Sequence, residues 1–186
     1  MEDKVLYFGY GANRDARMMK AITGADLKGK PAVLRDFKLV VQKLDQLPDT
    51  ILSTAPAPVS PRAAVAANWL ESFESYNIKE NPDGKVTGTL WELTPQEREL
   101  VRDWELVDFG WYEDKKVKII TQDGQEVEAQ TEGLRAGQKY DREVDGMSYE
   151  TWLNPPEDFD WIASKSREEY FARQTNEDAV GSLEAR

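Results

Sequence analysis

The residues best suited to chemistry stand in two short stretches that lie far apart in the chain. The first stretch, Tyr7 to Asn13, reads Tyr-Phe-Gly-Tyr-Gly-Ala-Asn and joins an apolar run to a helix-like segment. Glycines at such a junction let backbone N–H groups converge on a carboxylate or an oxyanion near a helix N-terminus. A tight turn whose tyrosines pack in the core explains the same residues. Taken alone, Gly-x-Gly favours that turn, and the third glycine of a dinucleotide-binding loop is missing.

The second stretch contains Glu105, at the end of a predicted helix. Its neighbours in the sequence include four large apolar residues: Trp104, Leu106, Phe109 and Trp111. Desolvation by such neighbours raises the pKa of a carboxyl group and makes it a useful proton acceptor. The chain has 35 acidic residues, so a solvated helix face remains the favoured interpretation for any single one. That interpretation also applies to Asp103 and Asp108.

The composition limits the chemistry that is available. The 186 residues include no Cys and no His, which excludes thiolate nucleophiles, the Ser-His-Asp triad and nearly every zinc or non-haem iron site. Proton transfer near neutral pH must therefore use a carboxylate, a Lys, a Tyr or a terminal amine.

The charge balance bears on partners and location. The net charge of −11 disfavours binding to nucleic acid, which depends on clustered Lys and Arg, and binding to anionic membranes. The first residues lack the pattern of a signal peptide, and no apolar run approaches a membrane span. The default expectation is a cytoplasmic protein.

Hydrophobic periodicity and turn residues predict an irregular alternation of elements. Strands are predicted at 5–10, 32–41, 76–78, 86–91, 115–121 and 125–131. Helices are predicted at 14–22, 62–73, 95–104, 149–153 and 163–174. We expect Asn13 to cap the first helix, and we expect hairpin turns at Asn81–Gly84 and Asp123–Gly124. Strands that pair through hairpins favour an α+β fold over a doubly wound parallel sheet.

The length favours one domain, which we place over residues 1–175. Residues 47–62 contain four prolines, which excludes regular structure there. Residues 176–186 are expected to form a flexible tail.

Together these stretches resemble the gamma-glutamylcyclotransferase-like family. Four motifs carry the resemblance in order: Tyr7–Asn13, Asp36–Leu39, Val86–Leu93, and Glu105 with Tyr112 seven residues later. The family's loop usually reads Tyr-Phe-x-Tyr-Gly-Ser-Asn. Its catalytic Glu is typically followed by Gly, with a Tyr seven residues on. The resemblance covers roughly residues 4–140, interrupted by an insertion at about 47–74.

The resemblance implies a small mixed β-barrel with surrounding helices and with strand 4–10 at its centre. It also implies an enzyme that converts a gamma-glutamyl amino acid, peptide or amine to 5-oxoproline and a free amine, with Glu105 as general acid/base. The matching substrate-binding positions are Tyr7, Phe8, Gly9, Tyr10, Gly11, Ala12, Asn13, Tyr112 and Tyr140. Core packing explains the last two tyrosines as well. No metal or other cofactor is expected, and the expected partner is a small molecule, with a homodimer left open.

Three departures from the family pattern leave alternatives open. Ala12 stands where the family usually has Ser, Leu106 stands where Gly usually follows the catalytic Glu, and residues 47–74 either cap the pocket or decorate the surface. A non-catalytic ligand-binding or regulatory domain of the same fold is one alternative, favoured if Glu105 points away from the loop. A related enzyme acting on another acyl amine is a second, favoured if residues 47–74 wall the pocket.

Overall fold

A computed structural model describes residues 3–184, with side chains to residue 177. The strands are β1 (Val5–Gly9), β2 (Lys30–Lys43), β3 (Glu74–Leu93), β4 (Glu113–Thr121), β5 (Glu126–Gly133) and β6 (Arg142–Val144). The α-helices are α1 (Ala16–Thr23), α2 (Pro61–Ala66), α3 (Pro95–Trp104) and α4 (Pro156–Glu184). Two short 3-10 turns lie at Gly11–Arg14 and Leu44–Gln46.

Five strands close into a mixed barrel. Their order is β3-β1-β5-β4-β2, and β2 pairs back with β3 to complete the ring. Strand β1 is antiparallel to β3 and parallel to β5, so it has a partner on both sides. The short strand β6 adds to β2 outside the ring. This arrangement confirms the predicted α+β fold, a small mixed β-barrel with surrounding helices.

Side-chain alternation along β1 separates two cores. Because successive side chains of a strand point to opposite faces, Phe8 fills the barrel interior with residues such as Leu34 and Ile119. Tyr7 points the other way, into a cluster formed with helices α1, α3 and α4. The face of β1 that meets the helices is therefore the face that carries Tyr7.

The hairpin predicted around Asn81–Gly84 is wrong. Strand β3 runs continuously through these residues and pairs with β2 rather than with itself. Arg35 is opposite Lys85 and Phe37 is opposite Glu80, so the turn-like residues form a bulge opposite Asp36. The Asp83 N–H donates to the Asp36 side chain at 3.2 Å. The turn residues are present, but β2 pairs with β3 on both sides of them, so they form a bulge in a continuous strand and do not reverse the chain.

The hairpin at Asp123–Gly124 is confirmed as the β4–β5 connection. Two helix predictions are wrong. Helix α2 ends at Ala66 instead of 73, and residues 149–153 form no helix. There the Arg14 guanidinium donates to the Tyr149 carbonyl and the Thr151 hydroxyl. These long-range contacts fix an irregular backbone that local periodicity cannot reveal.

Helix α4 begins at Pro156, seven residues before its predicted start at 163, and its backbone continues to Glu184. The predicted tail, residues 176–186, is therefore helical where it is described, and residues 185–186 lie outside the described part. Whether the tail is flexible remains a prediction. Within residues 3–184, none of the helices is both long enough and apolar enough to cross a membrane.

The predicted cap of the first helix is also wrong. Asp15 caps α1, because its Oδ1 accepts the Arg17 N–H at 2.7 Å. A 3-10 turn at Gly11–Arg14 precedes α1 and shifts the helix start past Asn13. The Asn13 side chain is thereby available for contacts elsewhere.

Gly9, the last residue of β1, provides a test of how tightly the loop is folded. A Cβ at this position would lie 2.3 Å from the Asn13 carbonyl oxygen, which already accepts the Trp91 indole N–H at 2.9 Å. We expect Gly9→Ala to lower the free energy of unfolding by about 2–4 kcal/mol in denaturant titrations. Gly124→Ala is the control, with a positive φ but open space around it, and should cost about 1–2 kcal/mol. Equal losses would contradict the steric explanation.

Candidate active site

The loop after β1 is rigidly held. Gly11 has φ 61°, a conformation that glycine adopts at little cost, and a Cβ there would lie 2.9 Å from the Tyr76 ring. The carbonyl oxygens that follow accept hydrogen bonds from β3: Asn13 from the Trp91 indole at 2.9 Å and Arg14 from the Thr89 hydroxyl at 2.9 Å. The loop is thus anchored to the barrel at its C-terminal end.

The Asn13 side chain connects the loop to the Tyr7 hydroxyl and to Glu105. Its Nδ2 donates to the Tyr7 hydroxyl at 3.0 Å and to Glu105 Oε1 at 2.9 Å. The asparagine is 5% exposed, so both contacts are shielded from bulk water. Glu105 therefore faces the Tyr7–Asn13 loop, as the resemblance implies.

Glu105 is positioned by the end of helix α3. The helix begins with the predicted Thr94–Glu97 capping box and ends in a Schellman motif. In that motif the Val107 N–H donates to the Arg102 carbonyl and the Leu106 N–H to the Asp103 carbonyl. Leu106 has φ 53°, a conformation that glycine adopts far more easily. The leucine thus occupies the family's usual glycine position with a glycine-type backbone.

A buried ion pair lies next to these groups. Arg98 Nη1 is 2.8 Å from Glu132 Oε1, and the Tyr7 hydroxyl donates to Glu132 Oε2 at 2.9 Å. Arg98 Nε also donates to the Gln130 side chain at 2.9 Å. Arg98 and Glu132 are 3% and 2% exposed, so hydrogen bonds must compensate for the lost hydration of both charges. A hydrogen-bonded chain runs from Arg98 through Glu132, Tyr7 and Asn13 to Glu105.

The electrostatics distinguish the two carboxyl groups. Burial, reinforced by the Glu132 charge, raises the pKa of Glu105 to about 8, although the Asn13 hydrogen bond and Arg98 oppose this shift. Burial also raises the pKa of Glu132, but Arg98 opposes it directly. We therefore assign the charge to Glu132 and a proton to Glu105 at neutral pH.

Three tyrosine hydroxyls border the site, and burial raises the pKa of Tyr7, Tyr10 and Tyr112 well above the usual value. The Tyr10 hydroxyl donates to the Glu132 carbonyl at 2.7 Å. The Tyr112 hydroxyl donates to the Tyr76 carbonyl and lies 2.8 Å from the Ser75 hydroxyl. The tyrosines thus remain neutral donors whose partners are already fixed by the protein.

A cavity of about 350 Å³ opens beside Glu105. Seven of the predicted site residues line it: Tyr7, Tyr10, Gly11, Ala12, Asn13, Glu105 and Tyr112. Residues of the segment 47–74 also line it: Ala57, Val59, Ala63, Ala64, Val65, Ala67, Asn68, Trp69 and Phe73. The second half of this segment therefore forms part of the pocket wall.

Three predicted site residues do not line the cavity. The Phe8 side chain fills the barrel interior because it alternates with Tyr7 along β1. Gly9 supports the loop through its close approach to Asn13. Tyr140 lies elsewhere, with its ring centroid 5.5 Å from the Lys38 and Lys79 ammonium nitrogens. The structure therefore corrects the placement of Phe8, Gly9 and Tyr140 at the pocket.

The loop amides are less open than the sequence suggested. The Gly11 N–H donates to the Tyr149 hydroxyl at 3.2 Å, and the Asn13 N–H donates to the Tyr10 carbonyl at 3.2 Å. The Tyr149 hydroxyl in turn donates to the Thr87 carbonyl at 2.7 Å. Of the loop's converging N–H groups, two are thus already paired within the protein.

Sequence reasoning missed Arg98 and Glu132. Arg98 stands seven residues before Glu105, a spacing that puts both on one face of a helix, and this signal was available. Glu132 gave no such signal, because it lies one residue past the predicted strand and is one of 35 acidic residues. Among the described residues, no three side chains of His, Cys, Asp or Glu cluster as a metal site requires.

Comparison with solved structures supports the fold. An uncharacterized protein from Homo sapiens aligns with a TM-score of 0.54 and 21% identity, over 75% of this chain and 70% of that one. A structure described as gamma-glutamyl cyclotransferase aligns with a TM-score of 0.52 and 20% identity, over 75% and 69%. YkqA from Bacillus subtilis aligns with a TM-score of 0.51 and 17% identity, over 94% of this chain and 55% of that one.

No protein-family model matches this sequence, and no curated protein sequence matches it significantly. The structural likenesses, each under 25% identical, establish the fold. This chain has the gamma-glutamylcyclotransferase-like fold, and the resemblance found in the sequence is confirmed at that level. Function must be argued from the site itself.

The raised pKa of Glu105 predicts a measurable effect on stability. Between the unfolded pKa of 4.5 and the folded value of about 8, the folded state binds more protons than the unfolded state. Stability therefore falls as the pH rises through this window. Gln imitates the protonated acid and keeps the Asn13 contact, so we expect Glu105→Gln to stabilise the protein by about 1–3 kcal/mol at pH 8 and by little near pH 4.5.

Denaturant titrations of the wild type and the variant across pH 4.5–8.5 measure this difference. Glu99→Gln removes a half-exposed carboxylate from the same helix and is the matched control. A gain for Glu105→Gln that does not depend on pH, or that Glu99→Gln reproduces, would contradict the assignment of a buried proton to Glu105.

Proposed function

We propose that this chain is an enzyme that cyclises gamma-glutamyl compounds to 5-oxoproline, with Glu105 as general acid/base. The observation that carries the proposal is the hydrogen bond from Asn13 Nδ2 to Glu105 Oε1 at 2.9 Å. It brings the loop and the helix end together at the wall of one cavity. A carboxylate aimed at a substrate loop can exchange protons with a bound amine.

The proposed reaction is an intramolecular aminolysis. The α-amine nitrogen of the substrate attacks its own γ-carbonyl carbon, a C–N bond forms and the C–N bond to the leaving amine breaks. The α-ammonium loses two protons in becoming the lactam N–H, and the leaving nitrogen gains two in becoming an ammonium. Glu105 takes these protons from the attacking nitrogen and delivers them to the leaving one. Because the nucleophile is tethered, holding one folded substrate conformer supplies much of the rate enhancement.

The charges of the site suit this substrate. Glu132 lines the cavity, whereas its partner Arg98 does not, so an incoming α-ammonium group meets the carboxylate end of this ion pair. A substrate cation close to Glu105 lowers the pKa of that carboxyl and so favours the ionised form that accepts a proton. The bound substrate thus converts Glu105 from a neutral acid to a base.

The α-carboxylate of the substrate binds the loop backbone near Gly11 and Ala12, both of which line the cavity. Ala12 supplies an N–H group but lacks the hydroxyl of the family's usual serine. The Gly11 N–H becomes available when the Tyr149 hydroxyl, now 3.2 Å away, yields to the substrate.

A second candidate is a related enzyme that acts on another acyl amine with the same Glu105 and loop. The observation that favours it is that residues 57–73 form part of the wall of a cavity of about 350 Å³. That volume leaves room for more than a glutamyl group. The non-catalytic alternative has less support, since Glu105 faces the loop. Release of an amine without 5-oxoproline would favour the second candidate over the first.

Replacing Glu105 tests the proposed chemistry. We expect Glu105→Gln to lower 5-oxoproline release from a panel of gamma-glutamyl amines, peptides and amino acids by about 10²–10⁴-fold, because the general acid/base is lost. Product is measured by mass spectrometry. Asp108→Asn is the matched control, since Asp108 is exposed and pairs with Arg102, and should retain activity. If the wild type forms no 5-oxoproline from the panel, the proposed activity is wrong. If Glu105→Gln is as active as the wild type, Glu105 is not the general acid/base.

The neighbouring carboxylate predicts a shift in the pH profile. Since the base form of Glu105 is needed, we expect kcat/KM to rise with pH up to the raised pKa of that group. Glu132→Gln removes a negative charge that raises this pKa and leaves Arg98, which lowers it. In Glu132→Gln the pH range over which kcat/KM rises should therefore move to lower pH. Glu128→Gln, an exposed change on the same strand, should leave that range unchanged. If the range is also unchanged in Glu132→Gln, with folding verified by circular dichroism, the effect of the Glu132 charge on the pKa of Glu105 is contradicted.

A further inference from the structure

Part of the cavity wall is aromatic. Trp69 and Phe73 of the insertion have ring centroids 5.3 Å apart, and Trp69 is 4.8 Å from Phe159 of helix α4. Phe73 is 6.3 Å from Trp111, which directly precedes Tyr112 in the chain. The rings join the insertion and α4 to the segment after α3 in one continuous apolar surface.

Small side chains complete this surface. Ala63, Ala64 and Ala67, in and just after helix α2, line the cavity together with Ala57 and Val59. Alanines leave space for an occupant between the aromatic rings and the loop. A volume of about 350 Å³ lies within the range of pockets that bury whole small ligands, so a glutamyl group leaves part of it for the second half of a substrate.

The charged residues that line the cavity are mostly neutralised within the protein: Glu74 pairs with Arg142 and Glu132 with Arg98 at 2.8 Å each, and we assign a proton to Glu105. The acidic lining residues are Glu74, Asp103, Glu105, Glu132 and Glu169. The basic lining residues, among the described part of the chain, are Lys165 and Arg173. Arg173 is held by Asp103 at 2.5 Å, and Lys165 lies at the exposed rim, 4.0 Å from Glu169. A carboxylate on the leaving group would therefore enter a largely apolar part of the cavity, where the two lining cations already face carboxylates of the protein, which is costly.

We infer that this site selects gamma-glutamyl substrates whose leaving group is an apolar amine with an aryl or branched alkyl chain and no carboxylate. The inference rests on the proposed function and specifies its substrate class. Trp69 and Phe73 are the specificity-determining residues, because they form the aromatic surface that the insertion presents to the cavity. The amine end of the leaving group lies toward Glu105, which protonates it.

The test compares two substrates that differ by one carboxylate, gamma-glutamyl-phenethylamide and gamma-glutamyl-phenylalanine. We expect kcat/KM for the amide to exceed that for the amino acid by about tenfold or more. Trp69→Ala should reduce the preference for phenethylamide over gamma-glutamyl-methylamide by about tenfold, and Trp69→Phe should restore most of it. Trp161→Ala is the matched control, since Trp161 is 54% exposed on α4 and does not line the cavity. Equal or better use of gamma-glutamyl-phenylalanine overturns the inference, as does a preference that Trp69→Ala leaves unchanged.

A binding measurement separates this inference from the proposed activity. If no gamma-glutamyl compound yields 5-oxoproline, the proposed function fails, and calorimetric titration with free phenethylamine and free phenylalanine decides the pocket's preference. Tighter binding of phenethylamine, weakened in Trp69→Ala, supports the inference independently. Equal binding of the two compounds, tighter binding of phenylalanine or binding of neither overturns it.

Discussion

The site depends on two carboxyl groups that are linked through Tyr7 and Asn13 but have unequal partners. Arg98 pairs with Glu132 at 2.8 Å, and Glu105 receives only the Asn13 amide donor at 2.9 Å. The Glu132 charge raises the pKa of Glu105, so it is costly to ionise both groups in this desolvated site. Because only Glu132 has a cationic partner, we assign the negative charge to Glu132 and the proton to Glu105.

The architecture supplies these groups from different parts of the chain. Arg98 and Glu105 lie two turns apart on helix α3 and therefore on one face, while β1 and β5 bring Tyr7 and Glu132 beside them. Asn13 reaches the same point because the loop is pinned to β3. A rigid barrel thus holds a polar chain whose geometry no single segment defines.

Residues 57–73 and helix α4 form a part of the pocket lining that is separate from the barrel. The polar groups around Glu105 come from β1, the loop after it, α3 and β5, whereas the rings of Trp69 and Phe159 pack together on the added elements. This separation explains why a fold shared with a gamma-glutamyl cyclotransferase at 20% identity does not specify a substrate.

The sequence alone determined the α+β class, the β4–β5 hairpin and the capped start of α3, because local periodicity and turn residues encode them. The β-barrel and the position of Glu105 opposite the Tyr7–Asn13 loop followed from the order of motifs that resembles the gamma-glutamylcyclotransferase-like family. Tertiary structure alone decided that Asn81–Gly84 is a bulge, since the length of the partner strand β2 is not a local property. It also decided that Asn13 binds Glu105 rather than capping a helix, and that Glu132 is buried against Arg98. Burial and proton affinity depend on neighbours distant in the chain, so only the folded protein could single out these acidic residues from 35.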